Sequence, residues 1–201
     1  MIASAVPEPA ALPVAVGVAW PDLVWPVLVW AGVEKVEVDP KNPLQGAVRF
    51  AMYPYSHSLI LSNALTLVPA AIFGIIYGST LIAVAFWLAA VSHWVLDAVV
   101  HLGDLPVAGW GRDRRVGLGL WSRPRLAFVA EYALFASAVL AAAPQRMWVG
   151  LLAGGALLHL FNLNSFFGLT KANPVGTANR FAALSLVGYG IAIAWFTMAW
   201  H

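Results

Sequence analysis

TLIAVAFWLAAVSHWVLDAVVHL, residues 80–102, decides the fold. It is apolar for long enough to cross a bilayer core, which takes roughly 20 residues. Yet it carries His93, Asp97 and His101. The composition says how to read it. Hydrophobic residues make up 61% of the 201 and charged residues 10%, with a mean hydropathy of +0.80. A soluble domain is about half apolar and a quarter charged. So little charge cannot coat a water-facing surface, and lipid is the solvent that suits this chain.

Five further windows read the same way, at about 9–32, 57–78, 124–143, 147–169 and 180–200. The expectation is an all-α membrane bundle of about six spans, forming one domain over residues 1–201. Only Gly78, Ser79 and Thr80 separate the second and third windows, which suits a tight helical hairpin. The first window contains Pro13, Pro21, Pro26 and Asp22, so that helix is expected to be kinked or broken. MIASAVPEPA lacks the basic start of a cleaved signal peptide, so the amino terminus is expected to be retained. There is no cysteine, hence no disulfide and no thiolate metal site. The net charge of +2 gives no reason to expect a nucleic-acid partner.

The loops set an orientation. Lys35, Lys41, Arg49, Arg112, Arg114, Arg115, Arg123, Arg125, Lys171 and Arg180 fall on one side, and only Arg146 on the other. The positive-inside rule puts the ten in the cytoplasm and both termini outside. RDRR at 112–115 is a topology determinant that can also attract anionic lipid head groups. GLGLW at 117–121 offers flexible backbone near that side.

Ionisable residues inside spans are costly and mark functional sites by default. Here they share one half of the membrane. At 1.5 Å per residue, Asp22, His93 and Glu131 lie roughly 12–15 Å from the cytoplasmic ends of their spans, and Asp97 roughly 8 Å. His57 and His101 are near the rim. This points to one polar cavity opening to the cytoplasm. His93 and Asp97 are four residues apart on one helix face, a spacing that lets two side chains ligate one ion. His101 is too far along the axis to join them. His57 and Asp22 complete a set of two imidazoles and two carboxylates, which suits zinc or another first-row divalent ion. His101 and Glu131 are the candidate acid–base residues. His101 has two other readings, as the ligand of a second ion or a contact for a head group, and Glu131 has one, as the partner of an Arg or His. His159, Asn162 and Asn164 read as hydrogen-bonders between helices. An Asp–His pair that merely locks helix packing is the competing reading of His93 and Asp97.

PDLVWP (21–26), VDP (38–40), YPYSHSL (53–59), SHWVLDAVVHLGDLP (92–106) and GLGLW (117–121) together resemble a family of small bacterial multi-pass membrane proteins. That family is distantly similar to inner-membrane proteins regulated by the LexA repressor and taken to be metal-dependent hydrolases. There, a His-Ser pair opening one helix and an H-x-x-x-D helix motif carry the metal site. The resemblance implies a metal at His57, His93 and Asp97, with Asp22 from the first span, and placement in the bacterial cytoplasmic membrane. It covers most of residues 20–131. Relatives usually begin with a Gly-His motif, whereas this chain has no histidine before His57, which puts an altered or lost site among the readings.

The leading expectation is therefore a membrane-embedded, metal-dependent hydrolase acting on a lipid or other amphiphile. The alternative is a non-enzymatic membrane protein: an accessory subunit, or a small transporter handling protons or ions. A homo-oligomer and a partner subunit both stay open.

Overall fold

The computed structural model describes residues 11–200. The expected start of the first span at residue 9, the retained amino terminus, the outer placement of both chain ends and His201 concern residues outside that range. In chain order, α1 is Ala11–Trp30, α2 Pro54–His57, α3 Leu61–Leu65, α4 Leu67–Ile76, α5 Thr80–Val100, α6 Pro124–Ala142, α7 Trp148–Phe161, α8 Leu163–Phe167 and α9 Ala178–Trp200. Strand β1 (Lys35–Glu37) pairs antiparallel with β2 (Arg49–Met52), and β3 (Leu105–Pro106) with β4 (Arg115–Val116). The fold is mostly helical, with these two short ladders added in the loops.

Four helices, α1, α5, α6 and α9, are long and apolar enough to cross a membrane. Their outer faces are apolar and bare, as a lipid surrounding would favour: Leu81 on α5, Val129 on α6 and Val187 on α9 are 62%, 63% and 58% exposed. Each such side chain left in water would forgo roughly 1.5–3 kcal/mol of burial.

The windows at 57–78 and 147–169 are interrupted helices rather than single long ones. At the first interruption, Pro69 has no N–H to give the Leu65 carbonyl, so the ladder breaks between α3 and α4. Polar side chains take up the backbone there: Thr66 Oγ1 donates to the Ser62 carbonyl at 2.9 Å and Asn63 Nδ2 to that of Leu59 at 2.8 Å. At the second, the Asn162 N–H turns back to the His159 carbonyl at 3.0 Å, tightening the turn before α8.

The expected break in α1 does not occur. The helix passes through Pro21 and Pro26 as one element. Each proline removes one backbone donor, but α1 is central and packs along both α5 and α9, which hold it together. Its buried face is largely small: Ala11, Ala15, Gly17 and Ala19. A Cβ on Gly17 would sit 2.6 Å from the Phe86 carbonyl oxygen, so α1 and α5 approach backbone to backbone.

The loops are ordered against the helix ends. Trp25, Val29, Val36, Val48, Tyr53, Leu105 and Ala182 form a buried cluster that ties both ladders to α1 and α9. GLGLW is not loose backbone at a cavity mouth. The Leu118 N–H donates to the Ala98 carbonyl and the Gly119 N–H to the His101 carbonyl, both at 2.8 Å, which serves the orphan carbonyls at the end of α5. Gly117, at φ +154°, makes this return possible, and a Cβ there would meet the His101 oxygen at 2.3 Å. Gly117→Ala is expected to destabilise the protein by about 2–4 kcal/mol through strain and overpacking. A thermal melt within a degree of wild type would contradict this account of the loop.

Candidate metal centre

Three elements deliver the site. α1 brings Asp22, the carboxyl end of α2 brings His57, and adjacent turns of α5 bring His93 and Asp97. Nε2 of His93 lies 3.3 Å from Asp22 Oδ2 and 3.3 Å from Asp97 Oδ2. Nε2 of His57 lies 3.4 Å from Asp22 Oδ1 and 3.8 Å from Asp97 Oδ2. Asp22, His57 and His93 each offer a donor atom within 4.8 Å of the other two, a group that can hold a metal ion. Asp97 borders this group, its Oδ2 as near His93 Nε2 as that of Asp22.

Hydrogen bonds fix which ring nitrogens face inward. His93 Nδ1 is 2.8 Å from the Val18 carbonyl oxygen, which can only accept, so Nδ1 carries the proton. That leaves Nε2 as a lone pair in the neutral ring. His57 Nδ1 is 2.7 Å from Ser56 Oγ, and Ser56 Oγ is 2.6 Å from Glu34 Oε2. With Glu34 ionised, the single hydroxyl proton goes to the carboxylate, so His57 Nδ1 must donate to the serine. Its Nε2 is then also a lone pair.

With both rings neutral, two imidazole lone pairs point at two carboxylates, all acceptors. In a closed, low-dielectric setting this arrangement needs positive charge at its centre. His93 Nε2 and Asp97 Oδ2 are buried with no hydrogen-bond partner. Asp22 meets His57 through Oδ1 at 3.4 Å and His93 through Oδ2 at 3.3 Å, and donor atoms of Asp22, His57 and His93 lie close enough together for a divalent ion to be held among them.

Sequence reading missed Glu34. It stands in AGVEKVEVDP, which reads as a solvated loop charge, but it is 2% exposed. Its Oε1 accepts the N–H groups of Tyr55 and Ser56 at 2.8 and 3.0 Å, and Oε2 accepts the Ser56 hydroxyl. Burial holds the Glu34 carboxyl above its ordinary range, against the smaller opposing pull of the Ser56 and Tyr55 hydrogen bonds and of His57. The only hint in the sequence was a glutamate four residues past the end of an apolar helix.

The other expected residues lie elsewhere. His101 Nδ1 is 3.0 Å from Asp104 Oδ1 and 3.2 Å from the Tyr53 hydroxyl, with Trp121 packed on its ring at 4.6 Å between centroids. The Tyr53 ring stands between His57 and His101, at 5.3 and 5.8 Å. Glu131 accepts the Trp121 indole N–H at 3.0 Å, so its partner is neither Arg nor His. His159 Nε2 reaches from α7 to the Phe128 carbonyl on α6 at 2.7 Å. Asn164, on α8, accepts the N–H of Thr170 in the loop that follows, and Asn162 stands just before α8 without a side-chain cap bond.

Comparison with protein families, curated proteins and solved structures finds no match to this chain. The site is therefore argued from its own geometry.

Proposed function

We propose that the protein is a membrane-embedded, metal-dependent hydrolase of the bacterial cytoplasmic membrane, acting on an amphiphile. Counting the interrupted α3–α4 and α7–α8 segments as crossings gives six spans, and the one-sided basic loops favour both termini outside. The observation that carries the reading is the convergence of Nε2 of His57 and of His93 on the Asp22 and Asp97 carboxylates. Asp22, His57 and His93 would hold the ion, most simply zinc. Bound there, a divalent ion lowers the pKa of a coordinated water toward about 7 and makes it a nucleophile. Asp97, nearer His93 than His57, would take the proton from that water or close the coordination shell. Asp22 and Asp97 together balance the charge of the ion. The resemblance to metal-dependent hydrolases supports a metal in this cluster, and implies His57, His93 and Asp97 as its ligands, with Asp22.

A second reading has its own support. The space bounded by Pro21, His57, Asn63, Ala90 and His93 has no room for a free water-sized body. A closed four-ligand site is the mark of a structural metal. Elemental analysis of protein purified without chelator, beside a hydrolysis assay on a p-nitrophenyl acyl ester, separates the readings. One divalent ion per chain with metal-dependent hydrolysis is the expected result. An ion without hydrolysis would favour the structural role, and no ion would end both.

A further inference from the structure

A second cavity, of about 260 Å³, lies beside the metal centre and has not been accounted for. Trp20, Val24 and Leu28, one stripe of α1, form one wall. Leu65 and Thr66 of α3 and its end form the other, with Val33 and Tyr55 at the rim. Pro21, Ser56 and Ser62 line both this cavity and the cleft around His57 and His93. Ser56 is the residue whose hydroxyl bridges Glu34 and His57.

We infer that this groove receives one apolar chain of a membrane amphiphile and leads its polar head to the metal centre. The inference rests on the reading of the cluster as a hydrolytic metal site. Three observations commit the groove to a single acyl-type chain. Its walls are apolar along the α1 stripe, which runs roughly 12 Å from Trp20 to Leu28. The hydroxyls that line it are already committed, since Ser62 donates to the Ser56 carbonyl and Thr66 to the Ser62 carbonyl. The wall thus offers little polarity to a soluble ligand. Its volume lies just below the roughly 300–1,000 Å³ of pockets that enclose a drug-sized ligand. A stretch of one chain fits, and a whole two-chain phospholipid does not.

Access is lateral. Leu65 is 49% exposed and Val33 39% exposed, on the outer side of the groove, where acyl chains of the bilayer would lie. A chain entering between α1 and α3 brings its head to the Ser56–Ser62 wall, which the groove shares with the cleft around His57.

The test uses the full chain in lipid nanodiscs and palmitic acid bearing a mid-chain diazirine. After photolysis, mass spectrometry maps the labelled residues. Labelling is expected to concentrate on Val24, Leu28 and Leu65, and to be lost there in Leu65→Trp, whose exposed position tolerates a larger ring. Val24→Trp is the second variant, filling the groove from α1. Labelling spread evenly over Leu134 and Val187 on the outer faces of α6 and α9 would overturn the groove, as would an unchanged pattern in both folded variants. Metal content is measured in the same samples. Metal present with only bulk labelling sinks the groove and leaves the metal site. Groove labelling without metal sinks the hydrolase reading and leaves the chain-binding groove.

Discussion

His93→Ala is expected to strip the protein of its divalent ion and to lower its melting temperature by on the order of 10 °C. The size follows from linkage. An ion held a thousandfold below its ambient concentration stabilises the folded state by about 4 kcal/mol. For a chain of this length each kcal/mol moves the midpoint by roughly 2–4 °C. His93 is central because its Nε2 lies 3.3 Å from both carboxylates. Chelator should therefore lower the wild-type midpoint by a similar amount and leave that of His93→Ala unmoved. A wild type that melts identically with and without chelator, and carries no ion, would mean that a proton, not a metal, fills the centre. Asp97→Asn refines the result. If Asp97 takes a proton from bound water, this variant keeps the ion and loses hydrolysis. If Asp97 is the fourth ligand, the ion goes as well.

The helical membrane bundle and the four residues of the cluster were legible in the sequence for a simple reason. Polar side chains in an apolar helix stand out, and the four-residue step from His93 to Asp97 puts both on one face. Shared depth then brought Asp22 and His57 into reach. What stayed hidden depended on tertiary context. Pro69 and Asn162 interrupt helices whose apolar runs continue unchanged across them, so composition alone joins them. Pro21 and Pro26 were read as a kink or a break, and no break occurs, because α5 and α9 pack on both sides of α1. His101 and Glu131 looked catalytic because both are ionisable groups in spans. Each touches an aromatic neighbour, Trp121, that sequence could not place. Glu34 was the opposite case, a residue that looked solvated and is buried.

Glu34→Gln is expected to weaken ion binding about 10- to 100-fold, the usual cost of losing a residue that orients a ligand. That is roughly 1.4–2.7 kcal/mol. The fold should survive, because the amide oxygen can still accept the Tyr55 and Ser56 N–H groups now bound to Oε1. The change acts on the proton order. In the wild type, His57 Nδ1 donates to Ser56 Oγ and the serine donates to Glu34 Oε2. With glutamine, the side-chain NH₂ stands where Oε2 accepted, so it donates to Ser56. The serine proton then turns to His57 Nδ1, which becomes the acceptor, and the ring proton moves to Nε2. That nitrogen faces Asp22 and Asp97 and can no longer ligate. Ser56→Ala should weaken binding in the same direction by leaving Nδ1 unpartnered. Glu34→Ala should do more harm to the fold, since the Tyr55 and Ser56 amides would be left without acceptors at about 1–3 kcal/mol each. Competition with a chelator of known affinity reads the ion, and size-exclusion elution in detergent checks the fold. A folded Glu34→Gln protein that holds its ion as tightly as wild type would show that Glu34 braces the loop and does not set the tautomer of His57.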